Sequence, residues 1–244
     1  MPKENLTIQL PDGPNIELVY VQGGIFMMGN DDSEALDREK PAHQVKLSDF
    51  YIGKFPVTQE QWQAVMGENP SHFQGERRPV EEVSWHDTQE FLEKLNHVTG
   101  KKFRLPTEAE WEFAARGGIY SQGYKYAGSD RLKQVGWYDK NSDDQTHEVG
   151  QLLANELGLH DMSGNVWEWC RDWFDGNYYA ECHKKGVVKN PQGPDKGTDR
   201  VLRGGGWFNP PVRCRSVRRY HNDPGNRYRA VGLRLVLPFQ AAGS

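Results

Sequence analysis

The side chains best suited to chemistry in this 244-residue chain crowd toward its C-terminal end. The stretch RCRSVRRYHNDPGNRYR, residues 213–229, holds six arginines and, apart from Asp223, no acid. Arginines interleaved with tyrosines are what a surface uses to track phosphates and stack on bases. The remainder of the chain opposes that reading. The formal charge is −4 and the pI about 6.1, with no basic helix and no second basic patch to follow a backbone, so nucleic acid is not the expected partner. Three cysteines, Cys170, Cys182 and Cys214, cannot all pair within one chain. None belongs to a C-x-x-C pair, which argues against a zinc ribbon. One disulfide with one thiol, or three thiols in a reducing compartment, both satisfy the count. The eight histidines include no H-x-x-x-H spacing that would place two ligands on one helical face.

These residues need a scaffold, and the composition describes one. Hydrophobic residues make up 36% and mean hydropathy is −0.83, yet there are 8 Trp, 10 Tyr, 10 Phe and 26 Gly. Disordered chains are poor in aromatics, so this mixture describes a loop-rich globule pinned by bulky rings and glycine turns. The opening MPKENLTIQLPDGPNIELVYV lacks a continuous apolar stretch of the Sec signal type, and no apolar run approaches a membrane span. The expected compartment is therefore the cytoplasm, or one reached by an export route that these residues do not mark.

IELVYVQGGIFMMG alternates apolar and polar residues and turns at Gly23-Gly24, which predicts a β-hairpin. HQVKLSDFYIGKFPVT predicts a further strand or two. Three helices carry start and stop signals. Thr58 with Gln61 forms a capping box and Gly67 ends the helix; Ser84 caps a second, with Phe91, Leu92, Leu95 and Val98 on one face and Gly100 after it. Thr107 with Glu110 opens a third, closed by Gly117. Between Gly118 and Pro211 periodicity nearly vanishes, predicting long loops joined by short strands, and such loops are functional or metal-pinned in compact domains. VGLRLVLP predicts a closing strand beside the N-terminal ones. With no repeat or linker, one domain spanning residues 1–244 is expected.

Several segments together resemble the formylglycine-generating-enzyme, or sulfatase-modifying-factor, family: GGIFMMGN, KFPVTQEQW, RLPTEAEWEFAARGG, GLHDMSGNVWEWCRDW and RVLRGGGW…GLRLV, in the family's order from about Tyr20 to Leu237. The resemblance implies an α+β domain with the formylglycine-generating-enzyme type of C-type lectin fold, loop-rich, with few helices and short antiparallel strands. The family includes copper-dependent oxidases, iron-dependent sulfoxide synthases and members without known catalysis. In its oxidases two cysteines hold copper, two and seven residues beyond the aromatic residue of the RGG motif. Here those positions are Asn209 and Cys214 after Trp207, and one thiolate with one amide cannot reproduce a two-thiolate Cu(I) site. Copper is thus not expected, and an oxidase working through Cys214 is the alternative reading only. Iron is not expected either, because the histidine cluster and the extra helical domain that supplies part of it are missing from these residues. In DMSGNVWE the resemblance implies a structural calcium site using Asp161, Gly164, Val166 and Glu168, a mixture of carboxylate and carbonyl oxygens suited to that ion. The competing reading has Asp161 capping a turn and Glu168 pairing with an arginine such as Arg203.

A narrower resemblance covers residues 200–237, which look like the variable region of proteins diversified by retroelements that mutate template adenines. Substitution at asparagine codons of the AAC or AAT type never yields Lys, Glu, Gln, Met or Trp, and none of these occurs from Phe208 to Val231. The resemblance implies a non-enzymatic ligand-binding protein with a diversifiable face formed by Phe208, Asn209, Val212, Arg213, Tyr220, His221, Asn222, Asn226, Tyr228, Arg229 and Ala230. Its partner would be a protein or other surface ligand. The scaffold residues Arg203, Trp207, Arg215, Arg219 and Arg227 are expected to point inward, since buried guanidinium groups need fixed partners.

Overall fold

The structure, a computed structural model, describes residues 4–11 and 13–239. Its elements run β1 (Leu6–Gln9), β2 (Asn15–Val21), β3 (Ile25–Met28), β4 (His43–Lys46), β5 (Phe50–Gly53), α1 (Gln59–Met66), α2 (Trp85–Thr99), α3 (Glu108–Ala115), α4 (Leu132–Val135), β6 (Trp167–Trp173), α5 (Tyr178–Lys185), β7 (Val188–Lys189), β8 (Arg200–Arg203), β9 (Arg219–Asn222), β10 (Val231–Leu233) and β11 (Val236–Pro238). Three sheets have the orders β1-β2-β5-β11, β10-β6-β8-β9 and β3-β4-β7. Most pairings are antiparallel; β10 with β6 and β4 with β7 are parallel.

The three predicted helices form where their caps place them. The Thr58, Ser84 and Thr107 side chains accept from the N3 amides, and Gln61, Asp87 and Glu110 reach back to the caps. Gly67 and Gly100 close α1 and α2 in the left-handed conformation, and Gly117 has φ +89° just past α3. Trp62 of α1 stacks on Phe91 of α2 with ring centroids 4.8 Å apart, fixing both against Leu18 and Tyr51 of the first sheet. Val98, expected on that face, is exposed instead.

The hairpin predicted at Gly23-Gly24 does not form. β2 pairs with β1 and β5, whereas β3 pairs with β4 in another sheet. A Cβ on Gly23 would lie 2.3 Å from the Leu47 carbonyl oxygen, so the glycine lets the chain cross tightly over residues 47–49 as it changes sheets. The closing strand also divides. Val231–Leu233 joins β6 and Val236–Pro238 joins β5, with Arg234 turned inward at the break. In the stretch read as loops, α5 is an unpredicted helix, held by burial of Tyr179 and Cys182.

The interior between α3, β8 and β9 is charged. All eight residues of α3 are buried, including Glu108, Glu110 and Glu112. Arg203 donates to Glu108 Oε1 at 2.9 Å and to Glu112 Oε2 at 2.6 Å. Arg219 embraces Glu108 with Nε and Nη2 at 2.6 and 2.9 Å, and its guanidinium lies 3.8 Å from the Tyr179 ring centroid. Arg215 donates to both oxygens of Glu39 at 2.9 and 3.0 Å. Burial opposes ionisation of Glu112, but Arg116 and Arg203 overcome it and hold the carboxyl below its ordinary value. On the other side of β6, Arg234 grips Glu168 from 2.7 Å, and the Trp111 indole donates to the same carboxylate at 2.6 Å. Removing one partner from such a pair orphans a buried charge. Arg203→Ala should lower unfolding free energy by about 3–5 kcal/mol, whereas Arg227→Ala, breaking an ion pair at the surface, should cost about 1 kcal/mol or less. Urea titration of the two variants measures the difference.

Candidate functional site

A cavity of about 540 Å³ opens over the C-terminal segment. Strand geometry builds its floor. Side chains alternate across a sheet, so Tyr220 and Asn222 of β9 face the cavity together with Leu202 of β8 and Trp167 of β6. Arg219 and His221 face the other way, the first into the charged interior and the second onto Phe174, ring against ring at 3.9 Å. His221 Nδ1 also sits 2.5 Å from Asp199 Oδ2. The walls come from Trp207 and Phe208 on one side and from residues 227–231 on the other, with Glu82 at the rim.

The loop that closes the cavity is fastened to its surroundings. Trp207 Nε1 donates to the Arg229 carbonyl at 2.9 Å, and Glu82 N to the Tyr228 carbonyl at 3.0 Å. Arg227 grips Asp87 of α2 through Nε and Nη2, each at 2.7 Å. Asp223 accepts from the Gly225 amide, and Asn226 donates to Asn222 Oδ1, so the turn is held by its own side chains. Rings of Trp167, Trp207, Phe208, Tyr220 and Tyr228 supply apolar area, and Asn222, Arg227, Arg229 and Glu82 supply polar groups at the edge. Arg229 Nε lies 3.7 Å from Glu82 Oε1, a loose, solvated pair. Phe208 is 50% exposed and Tyr228 45%.

Of the eleven residues expected on the face, six line this cavity: Phe208, Tyr220, Asn222, Tyr228, Arg229 and Ala230. Val212 and Arg213 are exposed but lie outside it, and Asn226 is half-buried in the turn. Asn209 and His221, expected on the face, lie off it. Asn209 is 2% exposed and spends its Oδ1 on Trp167 Nε1 at 2.7 Å and Gly206 N at 3.0 Å. His221 is on the far side of β9, as alternation requires. Ala230 lines the cavity from a buried position, 2% exposed. Of the scaffold set, Arg203, Arg215 and Arg219 point inward as expected. Arg227 is instead an exposed clamp, and half-buried Trp207 is a cavity wall. Glu82, Leu202 and Trp167 also line the cavity; Leu202 lies in RVLRGGGW and Trp167 in GLHDMSGNVWEWCRDW, but neither motif marked them for it. A positive φ at Glu82, +60°, is the local peculiarity that turns its side chain to the rim.

Cys214 is fully buried against Gly205, and burial, then the Asp139 carboxylate, pushes its thiol up to about 12. A thiol so protonated is a poor nucleophile at neutral pH. Cys170 and Cys182 are likewise buried and unpaired. Of the residues that the resemblance assigns to calcium, the two carboxylates are engaged by protein groups. Both Glu168 oxygens are occupied by Arg234 and Trp111, so the partner is Arg234 and not Arg203. Asp161 accepts from Gly150 N at 2.8 Å, and burial raises its carboxyl above the usual range, the turn-capping role of the competing reading. Gly164 and Val166 flank the approach of Gly204, where a Cβ would meet the Val166 carbonyl at 3.6 Å.

An α+β, loop-rich core with its cavity over the last strands defines the formylglycine-generating-enzyme type of C-type lectin fold. The chain belongs to the sulfatase-modifying factor enzyme 1-like domain family, whose model matches residues 4–238. It is similar to the chaperone protein LppX of Paenibacillus barcinonensis, 37% identical over 78% of each chain. It is 31% identical to the formylglycine-generating enzyme of Streptomyces coelicolor over 93% of this chain and 86% of that one. Among solved structures, Treponema denticola variable protein 1 superposes with a TM-score of 0.86 at 32% identity, over 97% of this chain and 99% of that chain.

Beside the rim, Glu81 is fully buried; Oε1 accepts the Phe73 amide at 2.8 Å while Oε2 has no partner. Burial raises its carboxyl to about 7. A carboxyl raised in the folded state keeps its proton where the unfolded chain has lost it, so its contribution to stability declines as pH rises from the ordinary carboxylate value to about 7 and then levels off. Glu81→Gln, which keeps an acceptor for Phe73, should flatten that decline in melting temperature against pH. Asp172, raised to about 8 by burial and then by Glu108, supplies a second decline that the variant leaves in place.

Proposed function

We propose that this protein is a non-enzymatic binding protein that captures its ligand in the cavity over residues 202–231, on a face open to diversification of the retroelement type. The observation that carries this reading is the division of labour in the C-terminal segment. Arg203, Arg215 and Arg219 hold buried carboxylates, while Phe208, Tyr228 and Arg229 stand exposed around an aromatic-lined cavity and share none of those pairs. Tyrosine and tryptophan give large, stiff contact area, and Asn and Arg give adaptable polar contacts. The likeness to a variable protein supports the reading, and so does the run from Phe208 to Val231 without Lys, Glu, Gln, Met or Trp. The ligand fits the class of a protein or other surface group presenting an apolar projection with polar edges.

The family relationship to formylglycine-generating enzymes supports the alternative, oxidation of a substrate cysteine through Cys214. Burial of that thiol and the structural use of Asn209 weigh against it. With Cu(I) and a sulfatase-type cysteine peptide the protein should give no formylglycine; turnover lost in Cys214→Ser would make it an oxidase.

The binding reading is tested by replacing Phe208, Tyr228 and Arg229 together. Exposed positions cost within about 0.5 kcal/mol each, so the melting curve should stay nearly unchanged. Sequencing the locus should find a reverse transcriptase and a near-identical repeat of the codons for 208–231. Unfolding of the triple variant, or a locus without that repeat, would remove the diversification claim.

A further inference from the structure

A smaller cavity, of about 210 Å³, is lined by both Arg116 and Arg215 and shares no residue with the aromatic one. Both arginines are anchored. Arg116 donates through Nε to Glu112 Oε1 at 2.9 Å and through Nη2 to the Gly29 carbonyl at 2.7 Å. Arg215 donates through Nε to the Val212 carbonyl at 3.0 Å, and its Nη2 holds both oxygens of Glu39. A single peptide unit links the two: its Gly29 carbonyl takes Arg116, and its Asn30 N–H donates to the carbonyl of Glu39 at 3.0 Å. The Nη1 of each arginine has no partner among the described residues and is not sealed from solvent, so each opens on the cavity it lines. Arg215 is only 2% exposed, so the fold carries this donor inside and leaves it without an acceptor. Buried donors in folded proteins are met by water or a ligand.

The mouth of the cavity has the opposite sign. Asp32 and Asp130 line it from exposed positions. Asp32 Oδ2 accepts from Asn30 Nδ2, and Asp130 Oδ1 accepts from the Lys125 backbone N–H, each at 2.9 Å. The second oxygen of each carboxylate has no partner among the described residues. Lys125 and Glu34, the other charges of the lining, satisfy each other at 2.6 Å. A simple anion would meet two carboxylates on entry, and a simple cation would meet two guanidinium groups inside. A molecule bearing both charges close together suits both ends. The volume falls below the roughly 300–1,000 Å³ of drug-sized sites, which restricts the ligand to something small.

We propose that this cavity binds a free α-amino acid, with its carboxylate on the Nη1 groups of Arg116 and Arg215 and its ammonium group on Asp32 and Asp130. Every one of these contacts is charge-assisted, and the guanidinium groups lose little freedom on binding because their other nitrogens already hold them. Neither end of a protein chain carries both charges, so the site discriminates against peptide termini. Tyr124 and Val217 form the apolar part of the lining, available to the ligand side chain.

Melting temperature measured against glycine and each standard L-amino acid, at fixed pH and ionic strength, reads the site. A saturable rise with at least one of them is expected, reaching about 5–10 °C at a hundredfold excess over the dissociation constant. The N-acetyl derivative and the carboxamide of that amino acid each lack one charge and should give no rise at the same concentration. Asp32→Asn, and Asp130→Asn, which keeps an acceptor for the Lys125 amide, should each weaken the midpoint about tenfold, the loss of one charge-assisted contact. Arg116→Gln should weaken it at least as much; should that variant fail to fold, the carboxamide tests the same contact. Tyr228→Ala, in the aromatic cavity, should keep the full response, so this site and the binding face are read separately. The proposal is overturned by the absence of a saturable rise with any amino acid, or by an equal rise with the N-acetyl or carboxamide form. A midpoint unchanged in both aspartate variants overturns it as well.

Discussion

The exchange of charge between α3 and the two strands β8 and β9 is the interaction on which the remaining architecture depends. Glu108 and Glu112 sit one helical turn apart on α3 and meet Arg203 and Arg219, which stand opposite each other in the β8–β9 register. A helix buried on all sides would ordinarily be apolar throughout. Here its acids are tolerated because each finds a fixed cation, and the geometry that satisfies them also specifies where the last strands lie. An apolar core could slide; paired forks of nitrogen and oxygen have one good register.

That register has a consequence for the cavity. Because β9 must turn Arg219 inward to Glu108, the next residue, Tyr220, has to face the opposite side, where it lies 5.2 Å from the Trp167 ring. The inward half of the strand bears the fold and the outward half lines the cavity. Asn209 and Ala230 mark where the division is broken: one is a buried acceptor for Trp167, and the other packs under Gly206, where a Cβ would come within 3.1 Å.

Legibility in the sequence followed the range of the forces involved. The three helices could be read to the residue because capping boxes and terminal glycines act within four residues of chain. The arginines at 203, 215 and 219 could be placed inside because a buried cation must have partners, although the partners themselves, 95 to 176 residues away, could not be named. The hairpin at Gly23-Gly24 failed because alternation does not say which sheet a strand joins. Trp207 was placed inside with the scaffold residues for want of any sign that one side of its ring would meet a cavity. Glu82 carried no signal at all, since a left-handed glutamate is dictated by neighbours distant in the chain.

One glycine in the closing strands ties the two halves of the structure together mechanically. Gly232 of β10 passes so near the segment before α2 that a methyl group there would stand 2.4 Å from the Val80 carbonyl oxygen. That segment runs directly into Glu81, Glu82 and the Ser84 cap. The segment leading to the rim thus lies against β10 with room for no more than a hydrogen atom at residue 232. Any side chain at 232 would act as a shim, lifting the rim away from Tyr228 and widening the mouth without touching a residue that lines it.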